Sequence, residues 1–462
     1  MSNFLRSAVV RGSCAAALLA AASPAAAAAW TPPQEIPGSA GRYPVFAAYG
    51  AGGATNVGMY GPLRFIPSSS QAPIALSTAP AAGAPAAPVA LADGLGTPVA
   101  VSPNGTLIAV GGPRSPLDYF TVERARARLR VAIGPVGGSL RRIATHAIAG
   151  TKTLAAAVND SGDAAVVFSR CVDKNCSTRT VLATFRRRGR GFEPPVVLAG
   201  RTGYPAAAVA LNPRGDAIVA WIQHRAKGRG NDVRVRMRRA GGTLTKMRLA
   251  GPTQPVPEIA VTLTPGRHGT VAWFSQGVGE GSVGGPLTVY HSDVDSRGTI
   301  GRLHVFDRGT PSGHGEDDAV RGARLRSVLG ADGATTVAWT GFAGGHYVVR
   351  AQRLKGGVGQ VETFSPPASD AQLMDLAGDR AGDALAVWAT VPGPTTLPVV
   401  AAVIRPAGAI TFGAPQLVLA GAEASGTAAG AIAPGGRAIV AGSGQVVSGD
   451  NAPPAVRVTQ LP

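Results

Sequence analysis

The stretch that decides the fold is Leu211-Asn-Pro-Arg-Gly-Asp-Ala-Ile-Val-Ala-Trp221, a turn followed by an apolar segment that ends in an aromatic residue. The earlier stretch Val158-Asn-Asp-Ser-Gly-Asp-Ala-Ala-Val-Val-Phe168 matches it closely. Weaker copies occur along the chain, and the glycines that anchor the copies are Gly53, Gly105, Gly162, Gly215, Gly269, Gly333, Gly382 and Gly436. Successive anchors are about 55 residues apart, a spacing typical of a tandem repeat of one small structural unit.

Each unit is predicted to form four strands, A to D, and the copy around Gly215 has the clearest pattern. Small residues at 206–211 lead through the Asn-Pro-Arg-Gly turn into an apolar strand B at 217–222. After a polar loop, residues 233–239 alternate valine or methionine with arginine, which is typical of a half-exposed strand C. A Gly-Gly turn then leads into strand D, which is expected to end at Leu249. Repeated four-stranded units whose inner strands are more apolar than their outer strands predict an all-β fold, a β-propeller.

The two ends of the chain are predicted to share the last blade. The last unit has three predicted strands, the third at 455–460, and the sequence then stops. The segment Trp30-Thr-Pro-Pro-Gln-Glu-Ile-Pro37 resembles internal D strands such as 192–198, so it can supply the missing strand and leave no edge unpaired. We therefore expect about eight blades. Seven is the alternative if the degenerate unit around Gly53 is not a full blade.

Two side-chain patterns accompany the repeat. The aromatic residue near the end of strand B, as in Trp221, is expected to pack between neighbouring blades, with a ring of sugar platforms as the alternative. The strand-C arginines Arg234, Arg236 and Arg238 are expected to form a solvated outer edge, with an anion-binding stripe as the alternative.

One copy of the repeat carries a family resemblance. The segment Ser102-Pro-Asn-Gly-Thr-Leu-Ile-Ala-Val110 resembles the SPDG-type signature of TolB-like propeller repeats, and the later Gly-Asp-Ala copies look like a drifted form of it. The resemblance extends over nearly the whole chain after residue 29. It implies a propeller scaffold, in a family with binding, assembly and sometimes hydrolytic roles.

The first residues resemble a secretory signal. Arg6 and Arg11 precede a short apolar run at 14–22, and small residues follow it. The pattern predicts a signal peptide at 1–29 and a single propeller domain at 30–462, secreted or held in the cell envelope. No later stretch is long and apolar enough to predict a membrane span, and we expect a monomer.

Export makes the two remaining cysteines informative. Cys171 and Cys176 flank a turn-forming Val-Asp-Lys-Asn segment. In an oxidising compartment this spacing favours a disulfide across a hairpin tip. A metal site is the alternative, although two thiolates alone do not complete a zinc shell.

The charge narrows the class of partner. The chain has 44 basic and 26 acidic residues, a net charge of +18. A nucleic acid is not expected as the partner of an exported chain. An envelope polyanion, a glycan or an exported protein is expected instead, and binding to a polyanion would weaken as salt increases.

Candidate ligand-binding residues lie on the loops that vary between repeats, since function on a rigid scaffold tends to use such loops. These are the B–C loops and the D–A connections between blades, which emerge on one face. The candidates are His224, Arg225, Lys227, Glu280, His314, Glu316, Asp317, Asp318 and His346. The acidic run at 316–318 suits calcium, but it lacks the alternating spacing of a calcium loop, and a solvated turn is the alternative. No metal ligand and no cofactor are otherwise predicted.

No catalytic motif is present: there is no nucleophile elbow, phosphate loop or HExxH segment. The leading hypothesis is therefore an exported scaffold that binds an envelope glycan, polyanion or protein. One alternative is a polysaccharide-acting hydrolase or lyase with a site at the channel mouth. Another alternative is a structural or assembly role in the cell envelope.

Overall fold

A computed structural model of the chain describes most of the residues after the first 28. The described ranges are 29–60, 74–81, 83–91, 96–111, 129–143, 151–172, 178–202, 206–225, 230–253, 258–276, 287–309, 324–355, 359–366, 370–391, 399–420, 427–444 and 455–462.

The described residues form antiparallel strands and one 3-10 turn, Ala51–Gly53. The chain begins with β1 (Gln34–Glu35), and blade 1 follows as β2 (Tyr43–Tyr49), β3 (Thr55–Tyr60), β4 (Ile74–Ala79) and β5 (Val89–Ala90). Blade 2 comprises β6 (Gly96–Val101), β7 (Thr106–Gly111), β8 (Arg130–Pro135) and β9 (Arg141–Ile143). Blade 3 comprises β10 (Thr151–Val158), β11 (Ala164–Cys171), β12 (Arg179–Arg186) and β13 (Val196–Thr202). Blade 4 comprises β14 (Ala207–Leu211), β15 (Ala217–His224), β16 (Asn231–Arg238) and β17 (Arg248–Thr253).

The second half repeats this order. Blade 5 comprises β18 (Ile259–Leu263), β19 (Gly269–Gln276), β20 (Leu287–Val294) and β21 (His304–Gly309). Blade 6 comprises β22 (Leu325–Leu329), β23 (Thr335–Ala343), β24 (His346–Leu354) and β25 (Val361–Thr363). Blade 7 comprises β26 (Asp370–Gly378), β27 (Ala384–Val391), β28 (Val399–Arg405) and β29 (Gln416–Ala420). Blade 8 begins with β30 (Ala428–Ala433), β31 (Arg437–Gly444) and β32 (Ala455–Leu461).

The eighth blade is completed by the N-terminal strand, as predicted. The strand order in this sheet is β30, β31, β32, β1, with Gln34 paired to Val458. The backbone N–H of Thr31 also donates to the carbonyl of Gln460 at 2.8 Å. The degenerate unit around Gly53 is a full four-stranded blade, so the ring has eight blades rather than seven.

The core lies between the blades. The strand-B aromatics Phe168, Trp221, Trp273, Trp339 and Trp388 are almost completely buried. Trp221 packs among blade 3 residues such as Val167 and Ala183. This burial confirms that the aromatic residues pack between blades and excludes the alternative of exposed sugar platforms.

The strand-C arginines are not a solvated edge, and this expectation was wrong. Arg238 is buried, with its guanidinium 2.6 Å from the carboxylate of Glu193 in blade 3 and 4.5 Å above the ring of Phe185. Arg236 Nε donates to the carbonyl of Thr245 at 2.6 Å. Arg238 therefore binds the preceding blade and Arg236 binds the C–D turn, while Arg234 pairs with Asp232 of its own strand.

Strand D of blade 4 also differs from the prediction. The pattern placed its end at Leu249, whereas β17 begins at Arg248. The residues after Arg238 turn through Gly241, which has a φ of 72°, and Leu249 on the outer strand is 48% exposed. The apolar character of Leu249 therefore marks the start of strand D rather than its end.

Seven of the eight anchoring glycines lie in the A–B turns with a left-handed backbone, as Gly215 does with a φ of 82°. The exception is blade 5. There Gly269 begins strand B, opposite Leu263, and the turn position is occupied by Arg267, with a φ of 66°. Arg267 is the only non-glycine residue with a positive φ in the described part of the chain.

Candidate functional site

The two faces of the ring differ in how much of them is described. The loop face carries the B–C and D–A loops, and the turn face carries the A–B and C–D turns. Of the predicted loop-face residues, His224, Arg225 and His346 are described. The others, Lys227, Glu280, His314, Glu316, Asp317 and Asp318, lie outside the described residues, as does Cys176. Cys171 is the last residue of β11, and its predicted disulfide with Cys176 stays a prediction.

Arg225 and His346 belong to separate local networks, and His224 lies at the end of β15, paired in the sheet with Asn231. Arg225 lies 2.7 Å from Asp232 at the base of the B–C loop of blade 4, and Arg234 reaches the other oxygen of the same carboxylate. His346, in blade 6, has its Nδ1 3.5 Å from the Asp370 carboxylate of blade 7. No described contact joins His346 to the blade 4 residues.

A charged cluster that the sequence analysis missed lies at the loop-face end of the channel. Glu258, just before β18, accepts from Arg326 Nη1 at 3.1 Å and lies 3.5 Å from Arg324 Nη1. The cluster joins the first strands of blades 5 and 6. The packing of blade 5 against blade 6 brings these residues together, although they are 66 and 68 positions apart in the sequence.

The other end of the channel opens as a cavity of about 520 Å³ on the turn face. It is lined by the ends of the A strands and the A–B turns of blades 1, 2, 7 and 8, with Val328 from blade 6. Alanine and glycine are the commonest residues of its walls, and the polar or aromatic side chains among the lining residues include Tyr49, Asp375, Arg380 and Arg437. Small walls leave room for a ligand between a few long side chains.

Arg380 and Arg437 supply the positive charge at this mouth. Both are exposed, and neither forms an ion pair with a carboxylate in the described ranges. The Arg437 guanidinium lies 5.6 Å from the ring centroid of Tyr49. Burial raises the pKa of Tyr49 to about 12, although Arg437 opposes this shift. Tyr49 is therefore a neutral phenol at neutral pH and is suited to hydrogen bonding rather than to acting as a base.

Asp375 lies deeper in the same channel wall. It follows a bulge in β26, and its Oδ2 accepts from the Gly430 N–H of blade 8 at 2.9 Å. Its Oδ1 accepts from the N–H of Leu376 at 2.8 Å. Burial raises the pKa of Asp375, while the bond from Gly430 and the charge of Arg326 lower it. The carboxyl group therefore joins blades 7 and 8 and also lines the cavity.

Several turns on the turn face are held by the Asn and Asp residues of the repeat. Asp216 Oδ1 accepts from the N–H of Ala240 in the C–D turn at 2.9 Å, and Asn212 Nδ2 donates to Asp216 Oδ2 at 3.0 Å. Asn212 Nδ2 also donates to the carbonyl of Thr264 in the next blade at 3.1 Å. We call the bond from the Asp to the C–D turn the turn clamp. The recurring Gly-Asp dipeptide was the sequence signal for this structural role.

The same clamp occurs in two other blades. Asp163 accepts from the N–H of Arg188 at 2.8 Å in blade 3, and Asp383 accepts from the N–H of Ala407 at 2.6 Å in blade 7. The clamp therefore keeps the two turns of a blade together wherever the Asp is present.

Two searches of the described residues give negative findings. Within the described ranges, no three His, Cys, Asp or Glu side chains come together in a way that would hold a metal ion. The same part of the chain contains no helix long and apolar enough to cross a membrane.

The fold and the cavity define an eight-bladed β-propeller with an open channel mouth, and solved structures with a similar fold exist. An ulvan lyase, a polysaccharide lyase, has 11% identity and a TM-score of 0.48 over 89% of this chain and 90% of that chain. A puromycin hydrolase has 12% identity and a TM-score of 0.45, over 76% of this chain and 50% of that one. An α-L-arabinofuranosidase from Fusarium graminearum has 12% identity and a TM-score of 0.36, over 71% and 97%.

These similarities concern the fold and carry no argument about activity. No protein-family model matches the chain, and no curated protein matches it either. The function must therefore be argued from the residues of this chain.

Proposed function

We propose that this protein is an exported binding propeller that takes an acidic glycan of the cell envelope at the channel mouth on its turn face. The observation that carries the proposal is the pair Arg380 and Arg437, exposed at the rim of a cavity of about 520 Å³ without an ion pair in the described ranges. An arginine without a protein partner can bind a carboxylate through two parallel hydrogen bonds.

The size and charge of the site support the same ligand class. Ligand pockets usually have volumes of about 300–1,000 Å³, so this cavity has room for a short stretch of a glycan. The neutral Tyr49 phenol can donate to a ring or hydroxyl oxygen. The net charge of +18 favours the approach of a polyanion from solution.

Export and domain organisation are part of the proposal. Residues 1–29 act as a signal peptide, residues 30–462 form the single mature domain, and Cys171 and Cys176 form a disulfide. The mature protein is a monomer. N-terminal sequencing and intact mass of protein recovered from outside the cell test the cleavage site and the disulfide, which lowers the mass by two hydrogens, and native mass spectrometry tests the monomer.

The binding test uses oligogalacturonate as the acidic glycan and a neutral gluco-oligosaccharide of the same length. Calorimetry on the mature protein is expected to detect the acidic chain only, with an affinity that falls as salt increases. The double variant R380A/R437A is expected to weaken binding at least tenfold. Arg239 is exposed on the same face in blade 4, so R239A is the matched control and should bind as the parent does.

Equal binding of the neutral oligosaccharide, or unchanged binding by R380A/R437A, would count against the channel mouth as the site. Loss of binding in R239A to the same extent would show that total charge, rather than this mouth, attracts the glycan.

A second candidate function is a polysaccharide-acting hydrolase or lyase that uses the same mouth. The observation that favours it is Asp375, a channel-lining carboxyl group whose pKa is raised by burial. A raised pKa lets a carboxyl group hold its proton to a higher pH, and a protonated carboxyl group can act as a general acid toward a glycosidic oxygen. Release of reducing ends or of unsaturated sugars from oligogalacturonate, lost in D375N while binding persists, would favour this enzyme over the binding scaffold.

A further inference from the structure

Blade 5 departs from its neighbours in the turn that connects its first two strands. In blade 4 this turn has Asn212, Gly215 and Asp216 at the positions that support the clamp. In blade 5 the corresponding positions hold Thr264, Arg267 and His268, counted from the pairs Leu211 with Ala217 and Leu263 with Gly269. All three departures lie within five residues.

The departures remove the clamp and the link to the next blade. His268 is exposed, and its backbone N–H donates to Thr264 Oγ1 at 3.0 Å. No described bond joins His268 to the C–D turn of blade 5, and none joins the Thr264 side chain to blade 6. Blade 6 also lacks the clamp residue, since Ala334 stands at that position. Blade 5 therefore has turns that no clamp ties together, whereas in blade 6 Asp332 of the A–B turn pairs instead with Arg353 and Lys355 at the end of strand C.

A cavity of about 470 Å³ opens where these turns separate, on the turn face and between blades 5 and 6. It is lined by both turns of blade 5 and by residues of blade 6, among them Gly333, Thr335 and Lys355. No residue of the channel mouth lines it, so the two cavities are separate.

The lining combines hydroxyl groups with an apolar surface. Four threonines line the cavity, namely Thr264, Thr270, Thr299 and Thr335. Thr270 and Thr335 are buried, with hydroxyls bonded to Asp293 and to Thr262, and the Thr264 hydroxyl accepts from the N–H of His268, so each of the three keeps capacity for one further hydrogen bond. Ile300, Val294 and Leu354 contribute aliphatic surface. Hydroxyls that can donate and accept, next to a small apolar area, match a sugar ring, which has hydroxyls around its edge and C–H groups on its faces.

The charge of the lining is negative although the protein is strongly basic. Asp293 and Asp295 both line the cavity, and the N–H groups of Thr299 and Arg297, at 2.7 and 2.8 Å from Asp295 Oδ1, lower the pKa of Asp295. The lining ammonium of Lys355 lies 3.0 Å from Asp332, a carboxylate that Arg353 also pairs, so the two lining carboxylates outnumber the one lining ammonium and leave a net negative charge. An ammonium group of a ligand is therefore favoured here and a carboxylate is not.

We propose that this cavity binds an amino-sugar unit, with its ammonium group at Asp293 and Asp295 and its hydroxyls on the threonines. This site is independent of the proposed acidic-glycan site, and its ligand carries the opposite charge.

The test compares three probes of equal length: the glucosamine trimer, a neutral glucose trimer and a galacturonate trimer. Ligand-observed NMR and calorimetry on the mature protein are expected to show binding of the glucosamine trimer. Its affinity should fall at least tenfold in D293N/D295N. The variant R380A/R437A should bind it as the parent does, which separates failure here from failure at the channel mouth.

A second variant keeps the test decisive in case D293N/D295N does not fold. T264N/R267G/H268D gives blade 5 the residues that close the turn of blade 4, and it is expected to fold and to lose the glucosamine trimer. Unchanged affinity in this variant or in D293N/D295N would overturn the proposal. So would tighter binding of the galacturonate trimer than of the glucosamine trimer by the R380A/R437A protein.

Discussion

Blades 4 and 5 have cores of the same kind and differ in the turn between strands A and B. Each buries a strand-B tryptophan, Trp221 or Trp273, against the preceding blade. Blade 4 closes its turn face with Asn212 and Asp216, whereas blade 5 leaves a cavity there. The comparison indicates that the inter-blade core carries the fold, while the turn face can change its chemistry without changing the ring.

The largest expected effect on stability tests whether the tryptophan-centred cores of blades 4 and 5 are equivalent. Replacing Trp221 or Trp273 by alanine should each lower the free energy of unfolding by about 3–5 kcal/mol, because a large buried side chain leaves a cavity. Urea unfolding followed by tryptophan fluorescence and circular dichroism measures both variants. Leu249→Ala, at a residue 48% exposed, should change little. A loss in one tryptophan variant less than half that in the other would show that the two blades do not share an equivalent core.

The second effect depends on a histidine that blade 4 lacks. His291 in blade 5 pairs with Ala272 as Val235 pairs with Ala220 in blade 4. It is 2% exposed and stacks between Phe306 and His304, with ring centroids 4.2 and 4.8 Å away. Burial lowers the pKa of His291 to about 4; Asp293 raises it and His304 lowers it further.

The lowered pKa predicts a stability that depends on pH. Between pH 6.5 and about 4 the unfolded chain binds a proton at His291 that the folded chain does not, so stability is present above pH 6.5 and falls as the pH decreases toward 4. We expect a loss of about 2–3 kcal/mol across this window. His291→Val should flatten that part of the profile, and His304→Gln should retain most of it. An unchanged slope in His291→Val would assign the pH dependence to other groups.

Much of this fold could be predicted because each repeat contains, within one short segment, the residues that form its turn and its strand B. The Gly-Asp turn, the apolar strand B and the terminal aromatic recur, and the segment 30–37 carries the pattern of a D strand. The sequence analysis took Gly269 as the turn glycine of blade 5, and the sequence itself could have corrected this assignment. Gly215 lies six residues before Trp221, whereas Gly269 lies only four before Trp273, so the strand-B tryptophan identifies Arg267 as the turn residue.

The candidate sites were less accessible to sequence reasoning. Tyr49, Asp375 and Arg437 meet at one cavity only because the ring closes, and none carries a local signal. The cavity between blades 5 and 6 lies where blade 5 lacks the Asn, Gly and Asp of the repeated turn, and the absence of a motif gives no positive signal in the sequence. The loop-face candidates, by contrast, were chosen for variability, and most lie outside the described residues, so they stay predictions.

The third effect tests the turn clamp directly. Asp216→Ala removes an acceptor that holds the N–H of Ala240 and the amide of Asn212, and should cost about 2 kcal/mol because buried donors lose their partner. His268→Ala, at the same position in blade 5, should change stability by no more than about 0.5 kcal/mol. Both are measured by urea unfolding. Similar losses in the two variants would mean that His268 also holds its turn.

The smallest effect concerns backbone strain in the same turns. Arg267→Gly should stabilise the protein by about 0.5–1 kcal/mol, because glycine adopts a φ of 66° without strain. The ion pair lost with it is weak, since Arg267 Nε lies 3.9 Å from Asp216. Gly215→Ala is the matched opposite, since its Cβ would lie 2.5 Å from Asp163 Oδ2 at a φ of 82°, and it should be destabilising. Thermal unfolding measures both changes. If Arg267→Gly destabilised the protein instead, the Arg267 side chain would be holding blades 4 and 5 together. Its contact with blade 4 would then take the place of the clamp that blade 5 lacks.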